Sequence, residues 1–326
     1  MNTANDVAVL TAVRRWGGHS LAYSTLQPGM LHFGEPSQGY VACRRCLGHT
    51  VALGDPLCPR SGRKALLRAF VETMPRPVFM QVLGETAAVL RTLGFRVTPV
   101  GVESEINVDS FGLGGKRKAD LRHYRNRARE GGVLVHELED SGRNRRALDT
   151  ISREWLRRKS LFSRELSFLA RPYVTVPEPD TRLFAAEVAG QTVAFVVLDP
   201  MFQAGTPVGY AVTILRHRGS VPEGTVDAIN LHVIDRLREE GVPVLSLGVS
   251  PFRAVEEQAS LDGVGAPAAY WLFRALRRWG TPIYHFKGLV FHKSRYRARE
   301  VPVYVATRGP MGLLPLYAAA RACRML

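Results

Sequence analysis

The sequence predicts a mixed α/β (α+β) chain made of two copies of one unit, each with mixed, largely antiparallel strands. Three observations predict it. Stretches of two-residue apolar period alternate with stretches of helical period over residues 7–102, in the order helix, strands, helix, strand, helix, strand. The same order returns in outline after residue 150, as a repeat of pattern rather than of residues. Of the 326 residues, 46% are hydrophobic, enough for packed cores and against disorder.

The spacing of Val9, Leu10 and Val13 predicts a helix over Val7–Trp16, ended by Gly17-Gly18. His19–Thr25 and Met30–Phe33 alternate and are expected as strands. Gly39–Arg44 and His49–Leu53 are expected as a hairpin, followed by a Gly54-Asp55-Pro56 turn. A helix from about Gly62 to Met74, a buried strand at Val78–Val82, a helix at Glu85–Leu93 and a strand at Phe95–Val102 complete the first unit. Lys116–Arg129 is expected as a helix, with Lys118, Arg122, Arg125 and Arg129 on one face and Leu121, Tyr124 and Ala128 on the other. A strand at Val133–Glu137 and a helix at Asp149–Lys159 follow, the latter with Trp155 and Leu156 facing inward. Then come hairpin strands at Arg182–Val188 and Gln191–Leu198, and a strand at Gly209–Leu215. A helix capped by Thr225 and running to about Glu240 precedes a buried strand at Val244–Leu247. A helix at Ala268–Trp279 and strands at Ile283–Phe286 and Val301–Ala306 close the chain, before an apolar C-terminal helix packed on the core. The expected division is 1–110 for the N-terminal unit, 111–150 for a basic helix and its connection, and 151–326 for the C-terminal, catalytic unit.

The net charge of +15 is unevenly placed. Residues 1–110 hold 11 Lys and Arg against 8 Asp and Glu, whereas residues 111–326 hold 33 against 21. A field of one sign implies an anionic partner, either nucleic acid or an anionic membrane surface. Within Lys116–Arg129 there are seven Lys and Arg and a single acid, Asp120, so the face lacks the acidic partners that would stabilise a merely solvated helix. No run of 18 apolar residues is present, and the charges of the N-terminus follow its apolar stretch, the wrong order for a signal peptide. The chain is expected to be cytoplasmic, with peripheral membrane contact. Cys43 and Cys46, with His49 and Cys58, suggest zinc by spacing, but no second CxxC follows and the ligands span a strand pair. Reduced thiols and no metal are expected.

Residues 286–306 hold the densest chemistry: His292, Lys293, Arg295, Arg297 and Arg299, with Phe291 and Tyr296 among them. If extended, Lys293, Arg295 and Arg297 share one side and His292, Ser294 and Tyr296 the other. Cations with aromatics at their edge suit a polyanion with stackable bases; a solvated Lys/Arg-rich edge is the other reading.

A set of stretches in fixed order then resembles a known family. They include VALGDPL (51–57), FGLGGKRKADLRHYRNRAREGG (111–132), ISREWLRRK (151–159), ELSFL (165–169) and VAFVVLDP (193–200). GYAVTILRHR (209–218), PEGTVDAI (222–229), LSLGVSPF (245–252) and IYHFKGLVFHKSRYRAREVPVYVA (283–306) continue the series. Together they resemble the soluble C-terminal domain of bacterial phosphatidylglycerol lysyltransferases, or multiple peptide resistance factors. The resemblance implies a tandem of two acetyltransferase-like (GNAT) folds. It also implies transfer of an aminoacyl group from aminoacyl-tRNA to a hydroxyl, that of phosphatidylglycerol in the founding members, with no cofactor besides the tRNA co-substrate. It further implies a stand-alone soluble member, like relatives that pass an amino acid to a small hydroxylamine or amine in natural-product pathways. Thr213 stands where the family typically has the Asp of a D-L-M-R run, Glu300 where a Trp is usual, and His292–Tyr296 in place of FKEKF. The loss of the Asp leaves the amino acid and the acceptor open and favours a non-lipid acceptor.

Acyl transfer from an activated ester needs mainly positioning and oxyanion stabilisation. Lys293 and Arg295 are expected to hold terminal tRNA phosphates or the developing oxyanion, with Arg216 contributing from a strand end. Asp227 is a candidate for the α-ammonium group, or simply a first-turn carboxylate favoured by the helix dipole. His217 or Tyr210 is a candidate proton relay, and Tyr210, Thr213, Ser250 and Lys287 are expected near the substrate. Lys116, Lys118, Arg122, Arg125, Arg129, Arg157, Arg158 and Lys159 are expected to grip tRNA. There is no Ser-His-Asp order or GxSxG, which argues against a covalent acyl-enzyme. An acyl-CoA-dependent N-acyltransferase and a non-catalytic nucleic-acid or membrane-surface binder remain the alternatives.

Overall fold

A computed structural model describes residues 4–158, 165–251, 253, 291–309 and 313–324. The Ala268–Trp279 helix, the Ile283–Phe286 strand, Lys159 and Lys287 lie outside these residues.

Among the described residues, one mixed sheet of 11 strands is formed. The N-terminal part contributes β1 (Leu31–Phe33), β2 (Val41–Cys46), β3 (His49–Leu53), β4 (Pro77–Val82) and β5 (Arg96–Asn107). The C-terminal part contributes β6 (Leu134–Leu138), β7 (Arg182–Val188), β8 (Gln191–Gln203), β9 (Thr206–His217) and β10 (Val244–Pro251). The last strand, β11 (Arg299–Thr307), runs antiparallel between β4 and β5. The end of the chain thus completes the N-terminal half of the sheet, and β5 joins the halves by pairing with β11 on one side and β10 on the other.

Among the described residues the α-helices are α1 (Ala4–Trp16), α2 (Arg63–Thr73), α3 (Gly84–Thr92), α4 (Ala119–Glu130), α5 (Gly142–Arg158), α6 (Thr225–Glu239) and α7 (Leu313–Ala322). Each buries the face its apolar spacing predicts. In α6, Ile229, Val233, Ile234 and Leu237 enter the core while Asp235, Arg236, Arg238 and Glu239 stay at the surface. In α4, Leu121 and Ala128 are buried as expected, and Tyr124 is half-buried. The C-terminal helix packs on the sheet through Ala318, Ala319 and Ala322, against Val51, Leu53 and Phe168.

Gly224, at φ +83°, begins α6, and a Cβ there would stand 1.9 Å from the Tyr124 carbonyl oxygen. Only glycine lets α6 start so close to the α4 backbone. Gly224 rather than Thr225 occupies the capping position, and the Thr225 hydroxyl donates instead to the Pro222 carbonyl at 2.6 Å.

Other expectations are corrected. His19–Thr25 does not form a strand; Tyr23–Leu26 is a 3₁₀ turn whose Tyr23, Ser24 and Thr25 are all buried, so these residues pack as a turn rather than as one face of a strand. Residues 291–294 are helical and 295–297 form a turn, so the basic segment is not extended and its side chains do not alternate across a strand. β5 runs five residues beyond its expected end, to Asn107, because Glu103 is accepted into the sheet interior and Glu105 only partly exposed. α5 begins at Gly142, where Arg145, fully buried, is held by Asp140 at 2.5 and 2.7 Å.

Candidate active site

β6, β7, β8 and β9 form an antiparallel meander, and α6 then returns the chain to lay β10 parallel to β9. That parallel pairing holds for only three residue pairs and ends at Ser246 with Ala211. Both strands continue, to Pro251 and His217, and therefore part. At the parting, β10 bulges against β5: the register moves from Ser246–Glu105 to Val249–Glu103. Gly248, at φ +77°, absorbs the bulge, and its N–H donates to the Ser246 hydroxyl at 3.0 Å.

Between the parted strands lies a cavity of about 560 Å³. Residues 211–216 of β9 and Leu247–Val249 with Pro251 of β10 form two of its walls. Trp155 and Leu156 of α5 and Glu165, Leu166, Leu169 and Arg171 form another. Ser20, Leu21, Ser24 and Gln81 reach it from the N-terminal half. Gln81 has φ +55° beside a register shift in the β4–β11 pairing, a bulge that turns its side chain to the cavity. The site is thus built from both halves of the sheet.

Lys293 lies on the cavity wall and is 8% exposed. Its Nζ donates to the Val249 carbonyl at 3.0 Å. Burial pushes this amine down to about 8, with nearby Glu103 pulling in the other direction. Glu103 sits behind the wall: its Oε1 accepts from the Ser246 hydroxyl at 2.5 Å, and burial raises its carboxyl above the usual range against the hydrogen bonds of Ser246 and Ser20. One connected set therefore fixes the bulge and places the amine: Glu103 holds Ser246, Ser246 holds Gly248, and Val249 holds Lys293.

Arg295 plays a different part from Lys293. It donates to Asp227 Oδ2 at 3.0 Å and to His292 Nδ1 at 2.9 Å, and its guanidinium lies 4.0 Å over the Tyr124 ring. The Tyr296 hydroxyl, fully buried, donates to Asp227 Oδ1 at 2.8 Å and accepts from Asn230 Nδ2 at 3.2 Å. Asp227 in the first turn of α6 is thus the hub that ties the 291–297 turn to α4 and α6. Burial raises its carboxyl, and Arg295 and Tyr296 oppose that. His292 reaches the cavity, but burial and the charges of Arg295 and Lys293 push its imidazole down to about 3, so it is neutral. Arg216 lines the cavity and is buried, donating to Glu165 Oε2 and Ser152 Oγ, both at 2.6 Å, over the Trp155 ring at 4.8 Å.

Of the sequence-predicted residues, the structure therefore gathers Lys293, Arg216 and Thr213 at the cavity, with Arg295 and Asp227 just behind it. The Thr213 hydroxyl donates to the Val197 carbonyl at 3.2 Å. Ser250 is buried on β10, its Oγ without a hydrogen-bond partner. Tyr210 and His217 are not among the lining residues. Tyr210 packs in the core under Arg182, and His217 Nδ1 engages the Arg218 carbonyl at 2.8 Å, so neither is placed to relay a proton in the cavity. Arg122 donates to the Leu113 and Gly115 carbonyls at 2.5 and 2.7 Å, closing the glycine-rich loop. Lys118 donates to the Tyr296 carbonyl, lies 3.8 Å over Phe111 and is pushed by burial to about 8. Arg158 donates to the His217 carbonyl. Lys116, Arg125, Arg129 and Arg157 are exposed.

Sequence reasoning missed Asn230, Glu103 and Ser246. Asn230 lines the cavity from the apolar face of α6, 1% exposed, its Oδ1 without a hydrogen-bond partner. Its signal was present: an amide three residues after Asp227, between Ile229 and Val233, on a face otherwise apolar.

A family model described as "Phosphatidylglycerol lysyltransferase, C-terminal" matches residues 11–307. The chain belongs to this family. Similar family proteins include a phosphatidylglycerol lysyltransferase of Bacillus subtilis (strain 168), 27% identical over 90% of this chain and 34% of the relative. Another is the lysylphosphatidylglycerol biosynthesis bifunctional protein LysX of Mycobacterium leprae, 26% identical over 80% of this chain and 23% of the relative. The chain thus spans about a third and about a quarter of the lengths of these two. In fold it is similar to the structure of L-PGS from Bacillus licheniformis, with a TM-score of 0.79 at 21% identity over 98% of this chain and 96% of that one. Among the described residues no helix is long and apolar enough to cross a membrane.

Proposed function

We propose that this chain transfers an aminoacyl group from aminoacyl-tRNA to a hydroxyl or amine acceptor, either a small molecule such as a hydroxylamine or the headgroup of phosphatidylglycerol. The observation that carries the reading is the cavity opened where β9 and β10 part, with the Lys293 amine held on its wall by a backbone carbonyl. Membership of a lysyltransferase family supports the same class of reaction.

The chemistry is a single displacement at the ester carbonyl. The acceptor's lone pair forms a bond to the carbonyl carbon, the carbonyl oxygen takes the displaced pair as an oxyanion, and the ribose oxygen leaves with the proton that the acceptor releases. Lys293, charged below about pH 8, stabilises the oxyanion as a buried amine held in place on the cavity wall, where its charge acts more strongly than in water. Arg295, Asp227 and Tyr296 position the turn that bears it. The neutral His292, pushed to about 3, is too weak a base to take the proton at neutral pH. The proton therefore passes between acceptor and leaving group.

The test is transfer of radiolabelled amino acids from a charged total-tRNA pool to phosphatidylglycerol vesicles and to a panel of small amines and hydroxylamines. Ribonuclease-sensitive transfer to one of these is expected. Activity only with acyl-CoA donors, or CoA binding without any transfer from tRNA, would replace this reading by the acyl-CoA alternative.

The exposed Arg125 and Arg129 of α4 are assigned to the tRNA backbone, whereas Arg122 and Lys118 are spent on carbonyls of the chain itself. Reversing Arg125 and Arg129 to Glu is expected to weaken tRNA binding and to flatten the dependence of log affinity on log salt by about one unit per lost phosphate contact. Filter binding across a salt series checks it; an unaltered slope would move the tRNA to another face.

A further inference from the structure

Resting on the reading above, we infer that Gln81 binds the acceptor: a bulge in β4 takes its amide out of the apolar core and sets it on the cavity wall supplied by the N-terminal half, where it holds a hydroxyl or amine of the molecule to be acylated.

The pattern of β4 requires the bulge. Phe79 and Val82 both enter the apolar cluster that contains Phe70, Leu90 and Phe95, whereas Met80 packs on the other side of the sheet, against the cluster under α7. Phe79 and Val82 are three positions apart, so a regular strand cannot send both to one face. Against β11 the pairing moves from Tyr304–Val82 to Ala306–Phe79, and Met80 and Gln81 together stand opposite Val305. In a regular strand Gln81 would share the face of Phe79 and bury its amide in that cluster. Instead it takes φ +55°, a backbone region that a glutamine enters only with strain. Its side chain then joins Leu21 and Leu169 on the cavity wall. A strained residue that carries a polar group into a cavity marks a binding position.

The place of Gln81 in the sheet decides which substrate it meets. Lys293 is held by β10 and Arg216 lies on β9, while β11 and β5 stand between β4 and β10. The exposed cations assigned to tRNA, Arg125 and Arg129, are on α4, and α4 packs on α6 where Gly224 meets Tyr124. Residues 111–326 also hold most of the positive charge. The polyanionic donor therefore reaches the cavity from the side of α6, β9 and β10. The wall with Ser20, Ser24 and Gln81 faces the second reactant. A glutamine amide accepts through its oxygen and donates through its nitrogen without carrying charge, which suits a glycerol hydroxyl and a hydroxylamine alike. Such a contact holds the acceptor equally before and during transfer, so it acts on the acceptor's KM rather than on turnover.

The experiment uses the full chain, a charged total-tRNA pool as donor, and two acceptor probes, phosphatidylglycerol in detergent micelles and N-butylhydroxylamine. Two variants separate the amide from the backbone. Gln81→Gly adopts the same φ freely and removes the side chain, whereas Gln81→Met keeps its length and removes its hydrogen bonds. Expected in both is an acceptor KM raised about tenfold, with turnover and donor KM within about twofold of the natural chain. The melting temperature of Gln81→Gly is expected within about 3 °C of the natural chain, or above it, because the strain is gone. A rise with the micelles alone assigns the amide to a lipid glycerol, and a rise with N-butylhydroxylamine alone assigns it to a small acceptor; either supports the inference. An acceptor KM in Gln81→Met within about twofold of the natural chain would overturn it, as would a donor KM that rises as far as the acceptor's, and both would leave the proposed function standing. If label reaches neither probe from any tRNA, the proposed function itself falls and takes this inference with it.

Discussion

Lys293→Ala is expected to lower the turnover of aminoacyl transfer about 10²–10³-fold, the usual cost of removing one preorganised oxyanion donor, with little change in KM. The fold should be unharmed. A cation that is 8% exposed and pushed to about 8 is held at a cost to stability, so its removal leaves the melting temperature unchanged or higher. The sign of the pH dependence follows from the same displacement. The charged amine is present below about pH 8 and lost above it, so turnover falls through that pH in the natural chain. Because the folded value lies below the ordinary lysine value, folding releases a proton between the two, and this one group makes stability rise with pH from about 8 towards the ordinary lysine range. Lys293→Arg keeps the charge at all these pH values, and whatever activity it retains should lack the alkaline fall. Steady-state kinetics from pH 6 to 10 read all of this. Turnover in Lys293→Ala within threefold of the natural chain would end the oxyanion assignment. Arg295→Ala is a different experiment, because it leaves Asp227 buried without its cation and so disturbs the fold together with the site.

Much of this architecture was legible in the residues. The strands at 41–46, 49–53, 77–82 and 182–188 and helices α2, α3, α4 and α6 follow from apolar runs, apolar period and the turn residues that bound them. Three kinds of fact were not. The place of β11 between β4 and β5 leaves no local mark, because a strand's period records which faces are buried and not which neighbours it has. The far end of β5 was obscured by Glu103 and Glu105, which count against a strand until the serine partners of Glu103 are known. And the row Lys293, Arg295, Arg297 reads as one cationic ridge, yet the helical turn at 291–294 sends its members to different ends. Lys293 goes into the cavity, Arg295 onto Asp227, and Arg297 turns at φ +50°. Composition signals an anionic partner; it does not tell which cations are spent inside the protein.

Asp199→Ala is expected to have the largest effect on stability, about 3 kcal/mol, the low end of the cost of breaking a buried ion pair, since Glu178 still holds one end of Arg171. Asp199 is fully buried on β8 and receives Arg171 through two hydrogen bonds, at 2.8 and 2.7 Å. Although burial works against the charge of Arg171, Asp199 and Glu178 hold its guanidinium above its ordinary value, so the arginine cannot escape by losing its proton. The pair also joins the halves, since the Arg171 guanidinium lies 5.2 Å over the Tyr23 ring and Tyr23 donates to the Pro179 carbonyl at 2.6 Å. A fall in melting temperature on the order of 10 °C is expected from calorimetry. The double replacement Arg171→Leu with Asp199→Leu should recover most of it, because apolar residues of similar size carry no unpaired charge. A melting temperature in Asp199→Ala within about 2 °C of the natural chain would show that water reaches Arg171 and that this wall of the cavity is open.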